Sequence, residues 1–157
     1  MPAVVVGGEP VSSTRIRALI AAGEVKKAAE LLGRPFGFDF TVVRGRQLGR
    51  QLGAPTVNQP FPQEFILPKF GVYASHVYVD GKQYYGVTNV GVKPTVGSDC
   101  ALAETWIPDF SGDLYDQKIQ VDLLEFVRPE KKFHDLSELR AEIFRNKESA
   151  KNIANHK

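Results

Sequence analysis

The stretch GVYASHVYVDGKQYYGVTNVGV, residues 71 to 92, carries the strongest signal for the fold of this chain. Two runs rich in β-branched and aromatic residues flank the dipeptide Asp80-Gly81. Runs of this composition favour β-strands. An Asp-Gly pair favours a two-residue turn, because the turn needs residues that tolerate a positive φ. The stretch therefore predicts an antiparallel hairpin that turns at Asp80-Gly81.

Similar runs occur on both sides of this hairpin. They are bounded by Gly, Pro or Asp and read FDFTVVRG (38–45), LAETWIPDF (102–110) and KIQVDLLEFVR (118–128). Five or six short strands at near-regular spacing favour a closed or nearly closed antiparallel barrel. We therefore expect a mainly β domain between Phe38 and Arg128.

Helices are predicted before the first of these strands. PVSSTRIRALIAAG (10–23) begins with hydroxyl residues that can cap a helix, and it ends at Gly23. EVKKAAELLGRPF (24–36) repeats the arrangement and ends at Gly33 and Pro35. Neither helix is long enough to be stable alone, so we interpret the pair as a linker.

A further helix is predicted at the other end. Asp135 with Glu138 three residues later resembles a capping box. An apolar stripe then follows at Leu136, Leu139, Ile143 and Ile153. We divide the chain into a helical linker, residues 1–35, and a barrel domain with a closing helix, residues 36–157.

The composition limits the classes of function. Of 157 residues, 43% are hydrophobic and 24% charged, which is typical of one globular domain with a core. A net charge of +2 is too small to indicate nucleic acid or an anionic membrane as the main partner. No apolar run approaches the ~20 residues of a spanning helix, and MPAVVVGG lacks the basic leader of a signal peptide. A single cysteine, Cys100, and three histidines argue against disulfides and a zinc site, so we expect a cytoplasmic protein.

Glycines and arginines alternate in residues 44–53. The segment contains Gly45, Gly49 and Gly53 together with Arg44, Arg46 and Arg50. Glycine exposes backbone N–H groups to anions, and guanidinium groups bind phosphate oxygens. The spacing matches neither a Walker loop nor G-x-G-x-x-G. From the residues alone, both a phosphate-binding loop and a flexible hairpin with solvated cations stay open.

Thr56 and Asn58 follow this segment. On a strand, residues i and i+2 point to the same face, so their hydroxyl and amide oxygens would converge. Such oxygens suit Mg²⁺, and two neutral ligands can complete the shell of an ion that a nucleotide already holds. The alternative is a turn with local side-chain hydrogen bonds.

The segment RGRQLGRQLGAPTVN (44–58) resembles the glycine-rich flap and the Pro-Thr-Ala-Asn signature of riboflavin kinases. The resemblance runs over roughly residues 11 to 150. It continues through the central hairpins (68–97), the catalytic and flavin-facing stretch (103–133) and the start of the closing helix (136–143). SSTRIRALIAAGEVKKAAELLGRPF (12–36) is similar to the segment that joins the two modules of bacterial bifunctional riboflavin kinase/FAD synthetases.

The resemblance implies a six-stranded antiparallel Greek-key barrel with a C-terminal helix. It implies transfer of the γ-phosphoryl group of ATP to the 5′-hydroxyl of riboflavin, giving FMN and ADP with Mg²⁺ as cofactor. The partners are then small molecules, and a fused or separate nucleotidyltransferase module stays open. FAD synthesis is not expected of this chain, because the H-x-G-H motif of that module is absent.

The family's functional residues map onto matching positions. Thr56 and Asn58 match the polar pair that meets MgATP and are the predicted metal ligands. Glu104 matches the proposed general base, and Arg128 matches an arginine near the flavin. The phosphate loop would use Gly45, Arg46, Gly49, Arg50 and Gly53. Asn89 and Pro94 fall near the nucleotide, and Tyr115, Phe133 and Trp106 offer aromatic surface to the isoalloxazine.

Each assignment has a plainer alternative. Glu104 would be a cross-strand partner of a Lys or Arg, Arg128 a salt-bridge partner of Glu130 or Asp113, and the aromatics core residues. The whole chain would be a non-catalytic flavin-binding barrel or an OB-like nucleic-acid-binding barrel. The sequence also departs from the family, since Trp106 stands where a His is usual and Val57 replaces the signature's Ala.

Overall fold

The structure is a computed structural model that describes most of the chain. Described are residues 4–6, 9–11, 13–43, 56–62, 65–95, 98–110, 112, 114–129 and 135–155. For residues 4–6, 9–11, 13, 93–95, 98–100, 136 and 139 it describes the backbone alone.

The described elements are eight strands and three helices. In chain order they are β1 (Val4–Val6), β2 (Glu9–Val11), α1 (Ser13–Ala21), α2 (Val25–Leu32), β3 (Phe36–Phe38), β4 (Thr56–Pro60), β5 (Gly71–Val79), β6 (Lys82–Thr95), β7 (Ser98–Trp106), β8 (Gln120–Arg128) and α3 (Leu136–Asn155). Strands β1 and β2 form a separate antiparallel hairpin, which the helical interpretation of residues 1–35 did not include.

Six strands form one antiparallel sheet in the order β3-β8-β5-β6-β7-β4. The predicted hairpin joins β5 to β6, and Asp80 and Gly81 both have positive φ, 50° and 80°. Strands β5, β6 and β7 are consecutive, and β8 returns to pair beside β5. This order is a Greek key. The predicted mainly β, six-stranded antiparallel Greek-key fold is confirmed.

The two ends of the sheet meet beyond β3. After Phe38 the chain keeps the β8 register through a bridge between Thr41 and Lys118. It then pairs with β4, where the Val43 N–H donates to the Asn58 carbonyl at 2.8 Å. This bridge curves the sheet into a partly closed barrel.

The barrel has an inner and an outer apolar cluster. The inner cluster fills the barrel and includes Val57, Tyr73, Val77 and Val90. The outer cluster lies under α3 and combines Val72, Val87, Trp106 and Leu124 with Ala150 of the helix. Two of the predicted stripe residues of α3, Ile143 and Ile153, also pack against the outer cluster. The Glu138 N–H donates to the Asp135 carboxylate at 2.8 Å, as the predicted capping residue requires.

A chain of buried hydroxyl groups crosses the barrel interior. The Thr88 hydroxyl lies 2.8 Å from the Ser75 hydroxyl and 2.9 Å from the Thr105 hydroxyl. All three residues are fully buried. The chain links β5, β6 and β7 at residues adjacent to Asn89 and Glu104, so it helps to fix the register of those strands.

Thr88→Val should lower the free energy of unfolding by about 1–3 kcal/mol, because it leaves two buried hydroxyls without their shared partner. Urea denaturation measures the change. The triple variant Ser75→Ala, Thr88→Val, Thr105→Val should cost less than the sum of the three single variants, since it leaves no hydroxyl behind. A Thr88→Val protein as stable as the original would show that the hydrogen-bonded hydroxyl groups of Ser75, Thr88 and Thr105 do not stabilise the fold.

Candidate active site

A polar row crosses the outer face of the barrel. Asn58 of β4 pairs directly with Glu104 of β7, which pairs with Asn89 of β6. Asn89 pairs with Val72 of β5, which pairs with Arg128 of β8. Directly opposed residues of antiparallel strands project to the same face. Since Val72 belongs to the outer cluster, these five residues, here called the first row, lie on the face that α3 partly covers.

A second row runs beside the first. Thr56, two residues before Asn58, pairs with Trp106, which in turn pairs with Val87. Two residues of a strand span about 7 Å, so this is the separation of the two rows along the strands. The backbone register thus gathers Thr56, Asn58 and Glu104 on one surface.

The polar groups of the two rows are unusually buried. Relative exposures are 5% for Asn58, 6% for Glu104 and 4% for Trp106. Among the described residues, no hydrogen-bond partner is found for three buried atoms of these rows: Thr56 Oγ1, Asn89 Oδ1 and Trp106 Nε1. Buried polar atoms are almost always satisfied in native proteins. Three such atoms on neighbouring strands therefore mark the two rows as the candidate ligand-binding surface.

Arg128 connects the first row to α3. Its Nε donates to Asn146 Oδ1 at 2.9 Å and lies 3.3 Å from Glu142 Oε1. The side chains of Arg128 and Glu142 are 16% and 13% exposed. Burial lowers the pKa of the Arg128 guanidinium, while the Glu142 carboxylate acts in the opposite direction. The guanidinium stays charged, because the pKa of arginine is far above neutrality.

The sequence did not indicate these helix partners. Glu142 and Asn146 are four residues apart and so lie on one face of α3. This spacing of two polar residues beside the apolar stripe is the sequence feature that could have predicted a polar contact between α3 and the barrel.

The structure brings together Thr56, Asn58, Asn89, Glu104 and Arg128 of the predicted site residues. Tyr115 instead follows β7 in a turn, and its ring packs against the inner cluster. Pro94 is on β6 opposite Asp99, five residues and about 17 Å along the strand from Asn89. The other predicted residues, Gly45, Arg46, Gly49, Arg50, Gly53 and Phe133, lie outside the described residues.

The donor set bears on the predicted Mg²⁺. In the part of the chain that the structure describes, no group of three or more His, Cys, Asp or Glu side chains could hold a metal. Thr56 and Asn58 offer the hard, neutral oxygens that Mg²⁺ accepts, and Thr56 Oγ1 has no hydrogen-bond partner among the residues that the structure describes. These residues fit an ion that brings further ligands with it.

A cavity lies away from the two rows. It is a cleft of about 340 Å³ between α2 and β8, lined by residues that include Lys26, Glu30 and Glu125. Lys26 Nζ lies 3.4 Å from Glu125 Oε1, so a cation of the cleft already faces a carboxylate. None of the row residues lines this cleft.

The domain is thus a Greek-key barrel whose outer face carries a polar row beneath a C-terminal helix. Residues 32–154 match the model of the family Flavokinase, described as riboflavin kinase. This chain belongs to the riboflavin kinase family.

Similar proteins have longer chains. A bifunctional riboflavin kinase/FMN adenylyltransferase of Pseudomonas fluorescens is 40% identical over 148 residues, which are 94% of this chain and 47% of that protein. A protein of the same description from Listeria monocytogenes is 34% identical over 144 residues, 91% of this chain and 46% of its own. The chain thus spans about half the length of the curated relatives it matches.

The fold also has a solved counterpart. A crystal structure described as a macrolide-efflux protein from Streptococcus pneumoniae superposes with a TM-score of 0.86 at 33% identity. The match covers 97% of this chain and 50% of that one. In the described part of the present chain, no helix combines the length and apolarity needed to cross a bilayer.

Glu142→Gln should lower the free energy of unfolding by about 1–3 kcal/mol, because a half-buried guanidinium would lose its counter-charge. The matched control is Arg145→Gln, since Arg145 contacts the same carboxylate at 2.6 Å but is 67% exposed. That control should cost less than about 0.5 kcal/mol. Urea denaturation of both variants measures the difference. Equal losses of unfolding free energy would show that the Arg128–Glu142 ion pair does not stabilise the fold.

Proposed function

We propose that this chain is a riboflavin kinase that transfers the γ-phosphoryl group of ATP to the 5′-hydroxyl of riboflavin. The observation that carries the proposal is the first row, in which the buried carboxylate of Glu104 is flanked by Asn58 and Asn89. Membership of the riboflavin kinase family supports the choice of substrate. The single cysteine of the chain supports a reducing cytoplasm as its compartment.

The carboxylate of Glu104 is suited to be the general base. In this role it accepts the proton of the 5′-hydroxyl as that oxygen bonds to the γ-phosphorus and the bond to ADP breaks. Asn89 Oδ1, for which the described part of the chain provides no donor, is suited to accept a hydrogen bond from a neighbouring hydroxyl of the ribityl chain. The transition state of phosphoryl transfer is loose, so the rate depends mainly on how the hydroxyl and the phosphates are positioned and on stabilisation of their charge.

Thr56 and Asn58 are suited to hold Mg²⁺ together with the phosphates of ATP. When bound, the ion would neutralise charge on the phosphoryl oxygens. The described cluster of polar atoms supports a shared site for both substrates, with acceptors in the first row and Thr56 beside them. Glycines and arginines of residues 44–53 are proposed to cover the phosphates.

The proposal is tested by incubating the chain with riboflavin and MgATP and separating the products by chromatography. FMN and ADP should appear in equal amounts, and chelation of Mg²⁺ should abolish both. Binding of riboflavin without FMN would favour a carrier over an enzyme. Binding of an oligonucleotide with steep salt dependence would favour an OB-like function.

Glu104→Gln should lower kcat by about 10²–10⁴-fold, the usual contribution of a general base, with little change in riboflavin affinity. Steady-state FMN formation and a riboflavin binding titration measure the two quantities. Glu125→Gln is the matched control, because Glu125 is a partly exposed carboxylate that pairs with Lys26. It should keep its kcat. Unchanged turnover in Glu104→Gln would remove Glu104 from the mechanism.

A further inference from the structure

Trp106 carries a buried hydrogen-bond donor that the mechanism above does not use. The residue ends β7 and is 4% exposed. Its Nε1 atom has no hydrogen-bond partner among the described residues. An indole N–H can only donate. Leaving it buried and unsatisfied lowers the stability of the fold, a cost that a phenylalanine at this position would avoid.

The neighbours of Trp106 define what it could bind. Thr56, directly opposite on β4, has a buried hydroxyl that also lacks a partner among the described residues. Lys147 Nζ lies 6.0 Å from the centroid of the indole ring, and Arg140 lies beside Phe144, which meets that ring edge-on at 5.5 Å. Two neighbouring donors, with the Lys147 ammonium group over the indole ring, favour an acceptor oxygen that carries negative charge.

The middle of the first row and the second row differ in hydrogen-bonding character. The middle of the first row presents the acceptors Asn89 Oδ1 and the Glu104 carboxylate, which suit the hydroxyl groups of a polyol, beside the N–H donors of the asparagine amides. The second row presents donors at Thr56 and Trp106, which suit an anion. Their spacing of about 7 Å keeps an anion apart from the Glu104 carboxylate, which would repel it.

We propose that the Trp106 indole N–H, together with the Thr56 hydroxyl, binds a phosphoryl oxygen of the nucleotide or of the FMN product. Trp106 is thus a substrate-binding residue that distinguishes phosphorylated from unphosphorylated ligands. This inference rests on the proposed kinase function and names a residue at which the sequence departs from the family's usual His.

The sequence offers a direct probe, because Trp106 is the single tryptophan among 157 residues. The protein has one indole N–H resonance in a ¹⁵N–¹H spectrum. Addition of MgADP or of FMN should shift this proton downfield and slow its exchange with solvent. Riboflavin alone should do neither. The arm that responds identifies whether the phosphoryl oxygen belongs to the nucleotide or to FMN.

Two outcomes would overturn the inference. An indole proton already protected without ligand, and unaffected by MgADP and FMN, would mean that the protein itself satisfies the N–H. An equal response to riboflavin alone would assign the acceptor to the flavin ring or the ribityl chain. FMN formation by the unaltered protein is measured in parallel, so failure of the kinase proposal is recognised separately.

Trp106→Phe tests the same inference by affinity. It keeps an aromatic ring under α3 and should weaken binding of the responding phosphorylated ligand about tenfold to a hundredfold, the cost of one hydrogen bond to a charged acceptor. Riboflavin affinity should change by less than about twofold. The control Phe144→Leu removes the edge-on ring contact but keeps the N–H, and it should retain the indole response. A Trp106→Phe protein that is folded by circular dichroism and binds the phosphorylated ligand unchanged would contradict the proposal.

Discussion

The candidate site depends on the cross-strand register of five neighbouring strands. No two of Asn58, Glu104, Asn89 and Arg128 are close in sequence, and antiparallel pairing brings them into one row. Arg128 reaches its place opposite Val72 through a register shift between β5 and β8. A slip of one residue would turn a strand's side chains to the opposite face and remove its member from the row. The positions of the polar side chains on the outer face therefore depend on the hydrogen bonds between the strands.

Features of the barrel interior hold that register. The hydroxyl chain through Thr88 joins three strands, and the Gln59 amide donates to the carbonyls of Phe40 and Ile119 at 2.7 and 2.8 Å. The Gln59–Phe40 hydrogen bond ties β4 to the segment after β3 that closes the sheet. Since these groups are buried, a shifted register would leave them unsatisfied at a cost comparable to a large part of a domain's stability. The buried hydrogen bonds inside the barrel therefore help to fix the strand register that aligns the residues of the outer site.

The sequence predicted what local chemistry determines. Asp80-Gly81 predicts its turn because the required φ values restrict the residue choice, and Asp135 predicts the start of α3 because capping is local. The common face of Thr56 and Asn58 follows from strand periodicity. The alignment of Asn89 with Glu104, and the partners of Arg128, depend on contacts between distant segments, which periodicity does not contain. The hairpin of β1 and β2 was missed because its strands have only three residues each.

Arg128 shows why a residue's place in a motif leaves its role incomplete. Sequence resemblance assigned it to the flavin, yet its Nε is engaged by Asn146 and Glu142 of α3. A ligand that contacts this guanidinium must share it with those groups or displace them, and displacing Glu142 would release a restraint on α3. The same helix carries Lys147 and covers the ring of Trp106. A ligand contact at Arg128 would therefore couple ligand binding to the position of α3, because the same guanidinium would serve both.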